Sequence, residues 1–279
     1  MFRTRFAPSP TGPLHLGHAY SALLAQDMAR DQGGEFLLRI DDLDQSRARM
    51  QWEEQIYDDL TWLGITWDGP ARRQSEHFDG YAKTLDLLRD QGLTFECGCT
   101  RRDIEAAANA PQEGAPLFGP DGRIYPGTCR SQGLQYSQST CTRLDMAKAC
   151  TIGLPARFDE SGPANNGAHA LDAQTMIDNI GDVVLARRNM AASYHLSVVL
   201  DDAATGVTHV IRGEDLFEAT PIHILLQNVL RLPRPQYHHH ALIRDDAGKR
   251  LAKRDDARAI AKYRAEGATP QDIRRMVGL

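Results

Sequence analysis

Two imidazoles three residues apart, His15 and His18, follow the segment Arg5-Phe6-Ala7-Pro8-Ser9-Pro10-Thr11-Gly12-Pro13-Leu14. The prolines fix φ and Gly12 admits positive φ, so this segment turns sharply. The i, i+3 spacing puts both rings on one face of a helical turn. Free N–H groups and the macrodipole at such a helix start favour a phosphate, so strand end, turn and histidines together make an anion site. A second chemical group is Cys97-Gly98-Cys99 with the distant Cys129, which suits tetrahedral Zn²⁺ completed by one further ligand. Cys141 and Cys150 compete for that place, although both read better as buried or free thiols. The run Lys249-Arg250-Leu251-Ala252-Lys253-Arg254, taken alone, is a solvated basic loop behind an Asp245–Gly248 turn. His238-His239-His240 alternates sides before a strand candidate and reads as structural rather than metal-binding.

The elements that must hold these groups alternate in kind. Arg5-Phe6-Ala7 ends a short strand, and a helix runs from Ala19 to about Arg30. Glu35–Ile40 is a strand that ends in the acidic cluster Asp41-Asp42-Leu43-Asp44. Trp52 to Leu63 is a helix with Trp52, Ile56, Leu60 and Leu63 on one face, stopped by Gly64. Tyr81 to Gln91 is another, stopped by Gly92. Between Phe95 and about Asn189 periodicity is weak, and all five cysteines fall there, so the stretch reads as an insertion. Strand candidates resume at Tyr194–Leu200, Val207–Arg212 and Ala241–Ile243. Thr220 is the expected N-cap of a helix with Pro221 at its first position and an apolar stripe of Ile222, Leu225, Leu226, Val229 and Leu230. Strand–helix units on both sides of an insert predict a split, mostly parallel α/β sheet.

Composition limits the partners. Charged residues are 25% and hydrophobic ones 42% of 279 residues, which is ordinary globular usage and enough chain for a real core. A net charge of −5 excludes a general polyanion binder, so any RNA contact must come from a local basic patch. The N-terminus lacks a signal-peptide pattern and no apolar run approaches ~18 residues, so a cytoplasmic location with no membrane contact is expected. Five cysteines in such a compartment favour metal or free thiols over disulfides.

The string from Arg5 to His18 resembles the HIGH motif of class I aminoacyl-tRNA synthetases, in the form used by glutamyl-tRNA synthetases. Arg250-Leu251-Ala252-Lys253-Arg254 resembles the KMSKS loop of the same class, with Arg for the first lysine and Ala252 for serine. The resemblance implies a Rossmann-like class I core interrupted by a zinc-binding insertion, with a short helical C-terminal segment. It assigns 1–94 and 190–236 to the split catalytic core, 95–189 to the insertion and 237–279 to the KMSKS-like loop and tail. It implies His15, His18 and Lys253 as catalytic, with Gly17 and Arg250 joining them around ATP and its Mg²⁺. A glutamate substrate carries two carboxylates and one ammonium. Arg5 and Arg212 then match the carboxylates and Asp41, where the family usually has Glu, matches the ammonium. Tyr194 adds a hydroxyl, and Phe6, Ala7, Pro8 and Ser9 complete the segment. Cys97, Cys99, Tyr125 and Cys129 are similar to the C-x-C…Y-x-x-x-C zinc site of glutamyl-queuosine tRNA(Asp) synthetases, across a longer Cys99–Tyr125 gap.

Only about twenty-five residues follow the basic loop, too few for an anticodon-binding domain, since isolated domains generally need ~40 or more. The tail reads as a helix pair, with Thr269-Pro270-Gln271-Asp272 starting the second and Ile273, Met276 and Val277 forming its apolar face. That shortening resembles the glutamyl-queuosine family, truncated relatives of glutamyl-tRNA synthetase. It implies a monomer that activates L-glutamate with ATP without tRNA, then transfers it to the queuosine of tRNA(Asp). Two other readings stay open: a minimal synthetase charging a tRNA 3′ end, and a non-catalytic nucleotide- or RNA-binding paralogue.

Overall fold

Parallel strands need a crossover element between them, and the N-terminal third supplies two. A computed structural model describes residues 1–108, 117–137, 139–187, 190–243 and 258–279. Strand β1 (Arg3–Phe6), helix α1 (Leu16–Asp31) and strand β2 (Glu35–Ile40) form the first crossover. Helix α2 (Met50–Trp62) leads to the two-residue β3 (Arg72–Arg73). The three strands are parallel in the order β1–β2–β3, with Arg5 opposite Leu37 and Arg39 opposite Arg72. Ala19, Ala22, Ala25 and Ala29 form much of α1's buried face, and small residues let the helix lie close to the sheet. The turn into β2 needs Gly34, because a Cβ there would lie 2.2 Å from the Phe2 carbonyl oxygen.

Helix α3 (Phe78–Asp90) then hands the chain to a different architecture. Strand β4 (Thr94–Cys97), helix α4 (Arg101–Ala108) and the hairpin β5 (Phe118–Gly119) and β6 (Gly122–Arg123) come first. They are followed by β7 (Cys141–Leu144), α5 (Met146–Gly153), β8 (Arg157–Glu160), β9 (Gly167–Ala170), the single turn α6 (Ala173–Thr175) and β10 (Val184–Ala186). Here β7 is the centre of an antiparallel sheet ordered β10–β7–β4. The parallel core resumes with α7 (Tyr194–Ala204), β11 (His209–Gly213), α8 (Thr220–Val229) and β12 (Gln236–His240). Its second sheet is ordered β11–β12–β8–β9, so the hairpin β8–β9, from within 95–189, extends the core sheet. Helices α9 (Ile260–Ala265) and α10 (Pro270–Val277) close the chain, and Ile260, Ile273 and Val277 join the core around α1, Phe36 and Ile56.

The parallel α/β class expected from the alternation is what the chain adopts, with five local corrections. Tyr194–Leu200 is not a strand but most of α7. Ser193 caps it by accepting from the Leu196 N–H, and both faces are buried, so its apolar run carries no helical period to read. Ala241–Ile243 is not a strand either; β12 ends at His240, and the histidine triplet lies inside it. Helix α1 starts at Leu16, three residues early, because His15 itself is the N-cap. Thr220 lies inside α8 with Ala219 as N-cap, leaving the Thr220 hydroxyl to bind Arg212. In the tail, Ile273 and Val277 are buried as expected, but Met276 is half exposed.

Candidate active site

The two core sheets meet where the Thr208 N–H donates to the Arg3 carbonyl at 2.9 Å, which sets β11 beside β1. Such a switch point, outside the carboxyl ends of parallel strands, is where α/β sheets bind ligands. A cavity of about 250 Å³ opens there. Arg5, Phe6 and Ala7 reach it from the end of β1, and His15, Gly17 and His18 from the start of α1. Asp41 enters from beyond β2, Tyr194 from the first turn of α7 and Arg212 from β11. Nine residues singled out in the sequence therefore share one cavity. Pro8 and Ser9 do not line it; instead the Pro8 carbonyl accepts the Asp41 N–H at 2.9 Å and fixes that turn. Arg250 and Lys253 lie outside the described residues.

The histidines cap the helix they begin. Nδ1 of His15 accepts the Gly17 N–H at 3.1 Å, and the His15 N–H donates to Nδ1 of His18 at 3.2 Å. Both Nδ1 atoms accept, so each neutral ring carries its proton on Nε2. The rings lie 3.8 Å apart, centroid to centroid. Two imidazole N–H groups and the first turn of α1 form one donor array.

The charges beneath the cavity are densely paired. Arg5 Nε donates to Asp202 at 3.0 Å, and Arg39 NH1 donates to the same carboxylate oxygen at 2.5 Å. Arg39 Nε also donates to Asp41 at 2.7 Å. Burial works against the Arg39 charge, but Asp41, Asp202 and Asp201 hold its guanidinium well above its usual range. Burial would lift Asp202 too, yet Arg5 and Arg39 keep it below the ordinary carboxylate range. Burial does raise Asp41, against the pull of Arg39. Asp201, one residue away, takes Arg72, Gln74 and Tyr81. The cavity thus shows Arg5, Arg39 and Arg212 together with Asp41 and Asp215, both signs in one small space, as a zwitterion requires.

Arg212 is held from all sides. Its Nε donates to Nε2 of His239 at 2.9 Å, NH1 bonds Nδ1 of His223 at 3.0 Å, and NH2 donates to the Thr220 hydroxyl and the Leu216 carbonyl. His239 turns its Nδ1 to Glu160, which also accepts the His239 N–H at 2.8 Å. Nε2 of His223 meets Nδ1 of His195 at 3.1 Å, and Nε2 of His195 meets Asp121 at 3.1 Å. Burial first, then Arg212, holds His223 far below the ordinary imidazole range, and burial lowers His239 against its carboxylate neighbour. Burial opposes a charge on Glu160, but its bonds from His239 bring it down to about 2.

The third group lies where β4 meets β7. The sulfurs of Cys97, Cys99 and Cys129 all fall within 4.8 Å of one another, and Cys99 and Cys129 are 3.4 Å apart. Thiolates ~2.3 Å from a tetrahedral ion are roughly 3.8 Å apart, so the donor set fits such an ion. Tyr125 Oη stands 3.3 Å from the Cys97 sulfur and accepts the Cys129 N–H at 2.8 Å. The Cys99–Tyr125 gap is bridged in part by α4 and the β5–β6 hairpin, which return the chain to the cluster. Cys141 pairs with Cys97 across the sheet, and Cys150 is buried in the core beside α8; neither joins the three-sulfur group.

Sequence reading missed Arg39, Asp202, His223 and His239. Arg39 had a local signal, because period two on a strand puts it on the side of Asp41. The others are brought together by tertiary packing alone.

The family of class I tRNA synthetases (E and Q), catalytic domain, matches residues 1–279. A glutamyl-Q tRNA(Asp) synthetase of Rhodobacter capsulatus is 64% identical, with 99% of each chain covered. One from Nocardia farcinica is 40% identical over 96% of this chain and 81% of its own. The crystal structure of a glutamate tRNA ligase from Elizabethkingia meningosepticum, in complex with its amino acid, superposes with a TM-score of 0.76 at 26% identity. It covers all of this chain, which spans only 60% of that longer one. Among the described residues no helix is long and apolar enough to cross a membrane. The chain belongs to the class I tRNA synthetases of the E and Q group and corresponds to their catalytic domain.

Proposed function

We propose that this chain activates L-glutamate with ATP, without tRNA, and transfers the glutamyl group to the queuosine of tRNA(Asp). The observation that carries the first half is the convergence of Arg5, Arg212 and Asp41 on the cavity that His15 and His18 also line. The second half rests on similarity to the glutamyl-Q tRNA(Asp) synthetases.

A glutamate carboxylate oxygen attacks the α-phosphorus of ATP. The new O–P bond forms as the bond to the β-phosphate oxygen breaks, and pyrophosphate leaves. An acceptor hydroxyl then attacks the carbonyl carbon, forming the ester and releasing AMP. The protein need only place the reactants and neutralise phosphate charge. His15 and His18 stand beside the α1 N-terminus and are assigned to the phosphates by motif, with Mg²⁺ accompanying the nucleotide. Lys253 and Arg250 are assigned to the same phosphates by motif. Arg5 has Nε on Asp202 and one NH1 hydrogen on the Ile211 carbonyl at 3.5 Å, which leaves its second NH1 hydrogen and its NH2 group as donors for a carboxylate. Arg212 spends most of its donors on the protein and has one NH1 hydrogen left, so it meets substrate as a single donor. Asp41, already bridged to Arg39, takes the ammonium. Zn²⁺ held by Cys97, Cys99, Cys129 and Tyr125 would fix the inserted sheet.

The test is transfer of labelled glutamate to tRNA(Asp) with queuosine or with unmodified guanosine. Labelling of the queuosine form alone, persisting after removal of the 3′-terminal adenosine, is the expected result. Label lost with that adenosine would establish 3′ charging instead. Labelling of neither form, with glutamate-dependent pyrophosphate exchange intact, would leave activation standing and overturn the acceptor.

A further inference from the structure

The ring protons of the histidines around Arg212 can be assigned, while the Thr220 hydroxyl, which accepts from Arg212, faces both Nε2 of His239 and the Leu216 carbonyl. A guanidinium only donates, so the nitrogens facing it must accept: Nε2 of His239 and Nδ1 of His223. His239 therefore carries its proton on Nδ1, where it donates to Glu160. His223 carries its proton on Nε2, where it donates to Nδ1 of His195, and His195 then donates from Nε2 to Asp121. Two buried imidazoles in opposite tautomers grip one arginine, and each is locked from behind by a carboxylate. The first lock is Glu160 on β8. The second, through His195 on α7, is Asp121 in the β5–β6 turn of the cysteine-bearing segment.

We infer that His223 and His239 are positioning residues for amino-acid recognition: as neutral imidazoles of opposite tautomer they hold the Arg212 guanidinium so that its remaining NH1 hydrogen faces the cavity. This rests on the glutamate reading of that cavity. Neither imidazole lines the cavity, so neither is offered as a catalytic residue. Protonating either would put a second cation against a buried guanidinium and remove an acceptor. Burial and Arg212 oppose that protonation at His223, and burial opposes it at His239. Tyr237 and Arg5 also lie near this group, and they contribute no acceptor to Arg212 among the described residues.

The experiment uses amide isosteres, because an Asn oxygen can stand where Nδ1 stands and a Gln oxygen where Nε2 stands. For His223 the Arg212-facing acceptor is kept by His223→Asn and lost in His223→Gln. For His239 it is kept by His239→Gln and lost in His239→Asn. In ATP–pyrophosphate exchange, His223→Gln and His239→Asn should raise KM for glutamate about tenfold or more. His223→Asn and His239→Gln should stay within about threefold, with KM for ATP unchanged in all four. A reversed order, equal losses within each pair, or a parallel change in KM for ATP would overturn the inference. If the wild-type protein showed no glutamate-dependent exchange, the substrate reading would fall instead. The clamp is then read directly from ¹⁵N-histidine spectra of the wild-type protein. Neutral His239 with Nδ1–H and neutral His223 with Nε2–H are expected; a charged ring or the other tautomer at either position would sink it.

Discussion

The amino-acid cavity and the cysteine cluster are both buried polar constellations, and they solve burial in opposite ways. Around the cavity each charge has a protein partner: Asp202 binds Arg5 and Arg39, Asp41 binds Arg39, and Glu160 binds His239, which binds Arg212. The cluster has converging donors and few counter-charges. Burial weighs against charge on its thiols. Bonds from Tyr125 and Arg143 nonetheless bring Cys97 down to about 7, while Cys99 is pushed up to about 12 and Tyr125 also rises. Arg143 lies 3.9 Å from the Tyr125 ring centroid. A region that pairs its own charges is pre-organised for ligand; one that gathers several acidic donors around a single cation, Arg143, is an arrangement that a metal would complete.

That contrast is broken most severely at Arg212. Arg212→Ala should lower glutamate activation by at least ~10³-fold, because it deletes a substrate donor and strands two imidazoles and Thr220. ATP binding, measured by equilibrium titration, should stay within about threefold; equal loss of both would remove the assigned role. Next comes Asp202→Asn, which leaves two buried guanidiniums around a neutral amide. Breaking a buried pair on one side costs about 3–5 kcal/mol, so denaturant unfolding should show a stability loss near ~3 kcal/mol. An unchanged midpoint would mean that Arg5 and Arg39 do not depend on this carboxylate.

At the cluster the expected effect is smaller and lies in stability. The purified protein should hold one equivalent of zinc, and chelation should lower Tm. Saturation at ~100 times Kd stabilises by about 2.7 kcal/mol, and each kcal/mol moves Tm by roughly 2–4 °C in a domain of this size. A fall of roughly 5–10 °C is therefore expected, with glutamate-dependent exchange largely retained after zinc loss. If Cys129→Ala bound zinc as tightly as wild type, Cys129 would not be a ligand.

The two regions also differ in how far they could be read beforehand. The cavity residues sit in short strings whose local physics is visible: a Pro/Gly turn before paired histidines, and an acid just past a strand. Arg5 and Arg212 were legible as charges, but not the cost of holding them. Glu160, His223 and His239 are far apart in sequence and meet only because β8 pairs with β12 and α8 packs beside them. Tyr194 was placed in the site yet on the wrong element, since α7 is buried on both faces and reads as a strand. The cysteines were legible from spacing because their ligand chemistry is local, whereas the sheet that gathers them, β10–β7–β4, had no clear period.

Asp59 supplies the control, a buried charge with neither partner nor ligand. It sits on α2 at 0% exposure, and neither carboxylate oxygen has a hydrogen-bond partner among the described residues. The charges that act on it are Asp58, which raises it, and Arg264, which lowers it, and these two bond each other at 2.7 Å. Burial, reinforced by Asp58, raises Asp59 to about 6 from an ordinary value of 3.8. The folded-state value lies above the unfolded one, so between about 4 and 6 the folded state binds more protons and stability falls as pH rises. Above that window the full penalty is present, on the order of 2–3 kcal/mol for a shift of this size. Asp59→Asn should therefore be more stable than wild type by ~2 kcal/mol at pH 7.5 and indistinguishable near pH 4. A gain that did not depend on pH would point to packing, and a loss at pH 7.5 would mean that Asp59 has the kind of compensation seen around Arg212 and so erase the contrast.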